Sequence, residues 1–190
     1  MQDSCIVDLY WARSENAITE TAIKYGKYCY SIAYGILTNA EDADESVNDT
    51  YLDAWNAMPP HRPSILSTFL GKITRRLSID KWRIKTAGKR GGGEMPLVLD
   101  ELSDCVASST DLEERIEQRE LVESINLFLA QLSKTERDVF VSRYWFISPV
   151  KRIAQKMGVS ESNVKTMLFR TRKKLAEYLS KEGYFVKEDK

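Results

Sequence analysis

Three consecutive glycines, Gly91-Gly92-Gly93, constrain this chain more than any other feature. Each costs a helix about 1 kcal/mol relative to alanine, so no helix is expected to run through them. They sit in a stretch from Lys85 to about Thr110 that also holds Gly88, Pro96 and Ser108-Ser109. On either side the sequence reads almost wholly as helix: period-2 alternation is scarce, and the 190 residues contain only 5 prolines and 9 glycines. The expected fold is therefore all-α, with two small helical domains joined by a flexible linker. The expected divisions are 1–87, an acidic linker at 88–114, and 115–190, and each domain has a workable size for a small bundle. The triplet is not a phosphate loop, because it lacks the G-x-x-x-x-G-K-[ST] spacing and follows a basic helix rather than a strand.

Composition removes several classes. Cys5, Cys29 and Cys105 are far apart and contain no C-x-x-C pair, so neither a disulfide framework nor a zinc site is expected, and buried inert thiols are the expectation. A single histidine rules out His-based metal clusters, and no metal or cofactor is expected. No apolar run approaches the roughly 20 residues of a membrane span, and the first residues lack the pattern of a secretory signal. A cytoplasmic, reduced protein is the expectation.

The formal net charge is zero, and the zero hides blocks. Residues 41–53 carry a net −6, residues 54–93 a net +8, and residues 94–123 a net −8. Residues 124–160 and 161–190 carry +4 and +3. Basic blocks separated by acidic ones point to nucleic acid as partner for the former. The −8 block is expected to occupy basic surfaces when DNA is absent.

In the first domain, Asn39 is expected to cap a helix running to about Trp55, with Val47, Tyr51, Ala54 and Trp55 facing the core. Asp42, Glu45, Asp49 and Asp53 fall on one stripe. Pro59, Pro60 and Pro63 break that helix. The next runs to about Lys85, with Leu66, Leu70, Ile73 and Leu77 buried and Lys72, Arg75, Arg76 and Arg83 forming a basic ridge. Phe69 and Trp82 add aromatic surface near that ridge, the mixture that tracks unpaired strands, although core packing suits each of them taken alone.

In the second domain, Leu121, Ile125, Phe128 and Leu132 form a buried seam, and Ser133-Lys134-Thr135-Glu136 is a capping box. Ser148-Pro149 starts a short helix that ends at Gly158, whose missing Cβ permits a left-handed C-cap, and Ser160 caps the last helix. Two helices around Gly158-Val159-Ser160 have helix-turn-helix proportions. Val150, Ile153, Ala154, Met157, Val159, Val164, Met167 and Leu168 supply the inner side. The outward positions are Ser162, Asn163, Lys165, Thr166, Phe169, Arg170 and Lys173. Their amide, hydroxyl and basic groups suit base edges and phosphates in a major groove.

These parts, in this order, resemble the small extracytoplasmic-function group of bacterial sigma-70 factors. Residues 33–55 (AYGILTNAEDADESVNDTYLDAW) are similar to the polymerase-binding helices of region 2, and residues 68–83 (TFLGKITRRLSIDKWR) to its strand-opening, −10-reading helix. Residues 132–175 are similar to region 4, which reads the −35 element. One position departs from the pattern: the family often has Asn where Arg76 stands. The resemblance implies a promoter-recognition factor without catalysis of its own, whose partners are core RNA polymerase, promoter DNA and an anti-sigma factor. It assigns Asp42, Glu45, Asn48, Asp49 and Leu52 to the clamp helices of the polymerase β′ subunit. It assigns His61, Arg62, Lys72, Arg75, Arg76 and Arg83 to −10 DNA, and residues 133–146 with their neighbours to the β flap. Read from residues alone, the alternative is a stand-alone helix-turn-helix regulator whose first domain serves dimerisation or effector binding. An enzyme is disfavoured by the lack of a nucleophile–base pair, metal cluster or phosphate loop.

Overall fold

In the computed structural model, residues 1–86, 94–103 and 114–182 are described, with backbone alone for residues 103 and 114–120. All regular structure among them is helix, without strands. The chain divides into two compact units, Met1–Gly92 and Gly93–Lys190. The glycine triplet and Cys105 lie outside the described residues. No helix among the described residues is long and apolar enough to cross a membrane.

The first unit contains α1 (Asp3–Trp11), α2 (Asn16–Leu37), α3 (Ala40–Ala57) and α4 (Leu66–Thr86). The last three pack against one another and α1 packs on α2. Ile6, Val7 and Tyr10 of α1 join Ala17 and Cys29 of α2, Val47 and Ala54 of α3, and Leu66, Leu70 and Ile73 of α4 in one core. Tyr51, Trp55, Phe69 and Leu77 pack against its edges half-buried. Asn39 caps α3 through its side chain, which accepts the Asp42 N–H at 2.9 Å. Inside the α3–α4 contact, the buried Thr50 and Thr74 hydroxyls meet at 3.1 Å. The Cys29 thiol is buried, and that burial raises its pKa. Cys5 instead is exposed, contrary to the expectation of buried thiols, because it lies on the side of α1 opposite the Ile6–Tyr10 seam.

The second unit contains α5 (Glu94–Ser103), α6 (Glu114–Gln131), α7 (Lys134–Tyr144), α8 (Val150–Met157) and α9 (Glu161–Lys181). Ser133 and Glu136 complete the capping box of α7. Gly158 ends α8 with φ at +67°, a conformation that costs a residue with a Cβ about 1–2 kcal/mol. The Ser160 hydroxyl accepts the Asn163 N–H at 3.2 Å and starts α9. Val139, Phe140, Ile153, Ala154, Val164, Leu168, Leu175 and Leu179 are buried where these helices meet.

Within the stretch 88–114 expected as a linker, residues 94–103 form helix α5. Its Met95 and Val98 are buried, and its carboxylates close on Arg143 of α7, which is only 2% exposed. Glu101 binds the guanidinium twofold, at 2.6 Å to Nη2 and 3.1 Å to Nε, and Glu94 meets Nη1 at 2.5 Å. Nη1 also donates to the Ser148 carbonyl at 3.1 Å, just before α8. The Tyr144 hydroxyl donates to Glu101 at 2.9 Å and accepts from Arg172 of α9 at 2.8 Å. One acidic helix thus ties α7, the start of α8 and α9 together. Burial alone would raise the Glu101 carboxyl, but Arg143 and Tyr144 outweigh it and leave the group below the usual carboxylate range. The acidic block does occupy a basic group, then, but that group belongs to the core of its own unit.

Candidate nucleic-acid interface

The cap at Ser160 fixes the phase of α9, and that phase decides which side chains meet solvent. Val164, Leu168, Thr171 and Leu175 turn inward. Ser162, Asn163, Lys165, Thr166, Phe169, Arg170 and Lys173 are all exposed. Phe169 is 60% exposed, an apolar ring held among basic groups where it is free to meet a thymine methyl or a sugar. Thr166 donates to the Ser162 carbonyl at 2.9 Å, which leaves the hydroxyl oxygen as an acceptor facing outward. Arg172 faces the Tyr144–Glu101 network instead, and Lys174 pairs with Glu136 at 2.7 Å. The open face of the last helix is therefore the one expected, with two neighbouring cations committed within the unit.

In the first unit the stripe and the ridge meet. Helices α3 and α4 run antiparallel, and their charges pair in ladder order: Asp42 with Lys85 at 2.5 Å, Glu45 with Lys81 at 2.6 Å, and Asp53 with Arg76 at 2.7 Å. Asp42 is half-buried in this pairing and Asp49 is half-buried as well. The side of α3 that remains open carries Glu41, Asp44, Glu45, Asn48 and Leu52, with Leu52 58% exposed. Of the five residues assigned to polymerase, Glu45, Asn48 and Leu52 lie on this open side. Glu41 and Asp44 share this side, in i, i+3, i+4 and i+7 register with Glu45 and Asn48, and lie off the stripe of Asp42, Asp49 and Asp53.

Lys72 and Arg83 are exposed on α4, and Arg83 lies 3.7 Å from Asp80. Arg75 differs from expectation: it is half-buried, and that burial lowers the pKa of its guanidinium. Its position one residue before Arg76 turns it away from the open ridge and toward the helix packing. Trp82 and Phe69 are half-buried, with Phe69 packed on the core. Before α4, His61 and Arg62 are exposed on the loop of residues 58–65. Ile65 and Ile84, both well exposed, flank the loop and the end of the ridge. No group of three or more side chains able to hold a metal ion exists among the described residues.

This geometry is that of a helical protein of two units, with a helix-turn-helix, a motif common among DNA-binding proteins, in the second. Residues 23–87 match the family model for sigma-70 region 2, and residues 123–175 match that for sigma-70 region 4. The chain belongs to the sigma-70 family of RNA polymerase sigma factors, in the extracytoplasmic-function group. Its role is promoter recognition in transcription initiation, and sigma-factor families are not enzymes. No curated protein matches the chain at a significant level.

Proposed function

We propose that this chain carries core RNA polymerase to promoters through three surfaces. The exposed face of α9 reads the −35 element in a major groove. The α4 ridge and the loop before it hold the −10 element as it opens, with Lys72, Arg76 and Arg83 on phosphates and His61 and Arg62 at the loop. Taking a base out of its stack costs a few kcal/mol, which phosphate contacts and a base-holding loop offset together. The open side of α3, through Glu45, Asn48 and Leu52, docks on the β′ clamp helices, and α7 with its neighbours meets the β flap. An anti-sigma factor that covers the same exposed apolar and charged groups would hold the chain inactive.

The observation that carries this reading is the face of α9, where every side chain expected at base edges and phosphates is open to solvent on a capped helix-turn-helix. The experiment is transcription reconstituted from core polymerase and this chain on a genomic fragment library. Start sites sharing two spaced elements are the expected result. Asn48→Arg with Leu52→Glu is expected to abolish core binding and transcripts while both units stay folded. A two-fold operator bound tightly by the chain alone, with no promoter-directed transcript, would instead favour the stand-alone regulator.

A further inference from the structure

Helix α1 precedes the residues matched to region 2, yet its end grips the loop that the −10 reading uses. Trp11 is 41% exposed, and its indole N–H donates to the His61 carbonyl at 3.3 Å. The Arg62 guanidinium lies over the Trp11 ring, 5.4 Å from its centroid, and pairs with Asp8 of α1. Just beyond, Arg13 occupies the left-handed position of a Schellman cap, with φ at +54°. The Ser14 N–H donates to the Leu9 carbonyl at 3.0 Å and the Arg13 N–H to the Tyr10 carbonyl at 3.1 Å. Glycine is the usual occupant there. Arg13 uses the turn to reach the Trp55 carbonyl at 2.8 Å and lies 5.2 Å over the Trp55 ring. Two indoles near the loop thus each carry a flat cation, which shows that planar groups reach their faces.

We propose that Trp11 is a stacking platform for an unpaired base of the opened strand, with Arg62 covering the ring until the strand displaces it. This rests on reading α4 and the preceding loop as the single-strand face. Magnitudes favour the exchange. An exposed cation–π contact is worth about 2- to 5-fold in an equilibrium, and an exposed ion pair no more than that. Stacking of one base on an aromatic ring is worth about 5- to 100-fold. The freed guanidinium meets the strand's phosphate, while Asp8 keeps it at the rim of the loop.

The test uses the full chain bound to core polymerase and a fluorescent single-stranded oligo(dT) 12-mer, titrated across salt concentrations. Trp11→Ala is expected to weaken binding about 5- to 100-fold with an unchanged salt slope, since no phosphate contact is lost. Trp11→Phe should recover most of the affinity, because a phenyl ring still stacks. Lys72→Ala should lower the salt slope by about 0.7, as expected for one phosphate contact on a single strand. A 5-iododeoxyuridine oligonucleotide is expected to photocrosslink at Trp11. Unchanged affinity in Trp11→Ala alongside weakened Lys72→Ala overturns the platform and leaves the α4 reading standing. Equal losses in Trp11→Ala and Trp11→Phe also overturn it, since they mean a misplaced loop rather than lost stacking. Failure of the unaltered holoenzyme to bind the oligonucleotide overturns both.

Discussion

Acidic and basic side chains are paired in both units, under opposite conditions of burial. Along α3 and α4 each of the three rungs keeps one partner at the surface, with Lys85, Glu45 and Arg76 each more than half exposed. In the second unit Arg143 is out of water, and two carboxylates of α5 and one carbonyl take its donors. An exposed pair contributes roughly 0.2–1 kcal/mol, because water competes for both partners and long side chains lose rotamer freedom. A buried charge that loses a partner leaves an unpaired ion in a poor solvent, at about 3–5 kcal/mol. Three rungs can therefore matter less to folding than one buried guanidinium. Weak rungs also suit a surface that must rearrange when DNA or protein arrives.

The largest expected effect tests the buried half of this contrast. Glu101→Ala removes the twofold partner of Arg143 and the acceptor of Tyr144, leaving Glu94 and the Ser148 carbonyl. A loss of about 2–4 kcal/mol is expected, below the full range because one carboxylate remains. Urea denaturation followed by hydrogen exchange, resolved by unit, reads it, and the loss belongs to the second unit alone. Arg143→Met with Glu101→Leu should recover most of it, since apolar replacement of a buried pair is often neutral or stabilising. If both variants lose alike, the guanidinium acts through contacts that methionine cannot make. Because the same network holds α7 and α9, removing residues 94–114 should unfold the helix-turn-helix unit.

What could be read from the sequence follows the range of each signal. The helix-turn-helix was legible because its determinants are local: the Ser133 box, Gly158 and Ser160 fix where helices start and stop, and apolar spacing fixes their faces. The open residues of α9 followed from that phase. Helix α5 was not legible as part of the second unit, because Glu94 and Glu101 find Arg143 across 49 and 42 residues of sequence. The acidic stripe and the basic ridge were both visible, but not that they face each other, which depends on the antiparallel packing of α3 on α4. Arg75 was misplaced for a related reason: its neighbour Arg76 shares its chemistry and not its burial. The grip of α1 on the loop left no local signature, since Trp11 and His61 are 50 residues apart.

An intermediate case lies at the start of α7. Glu136 caps the helix through Ser133 and reaches Lys174 of α9 at 2.7 Å. Hydrogen bonds from Lys174, then from Ser133, bring its carboxyl down to about 2. A depressed folded-state pKa means stability that is present above the ordinary value near 4.5 and lost as pH falls toward 2. Acid unfolding of the second unit should therefore steepen in that window, and Glu136→Gln should flatten it. Ser133→Ala is expected to cost about 1 kcal/mol at neutral pH by leaving an N–H at the helix start unpaired. A pH profile unchanged by Glu136→Gln would assign the acid sensitivity to Glu101 instead.

The smallest effect is the most informative about function. Glu45→Gln removes the charge of one rung but keeps an amide oxygen beside the Lys81 ammonium, which is largely buried, and should change stability by no more than about 1 kcal/mol. Core binding should respond differently, because Glu45 also lies on the open side of α3 and a charge lost at an interface rim changes association rate and its salt dependence. Asp53→Asn removes a comparable rung away from the Glu45–Asn48 side, so it should match Glu45→Gln in stability and leave the association rate with core polymerase unchanged. Equal rate losses in the two variants would mean that the ladder acts by shaping α3 as a whole. A loss confined to Glu45→Gln would mean that α3 spends one carboxylate on two tasks, a weak internal rung and a docking contact.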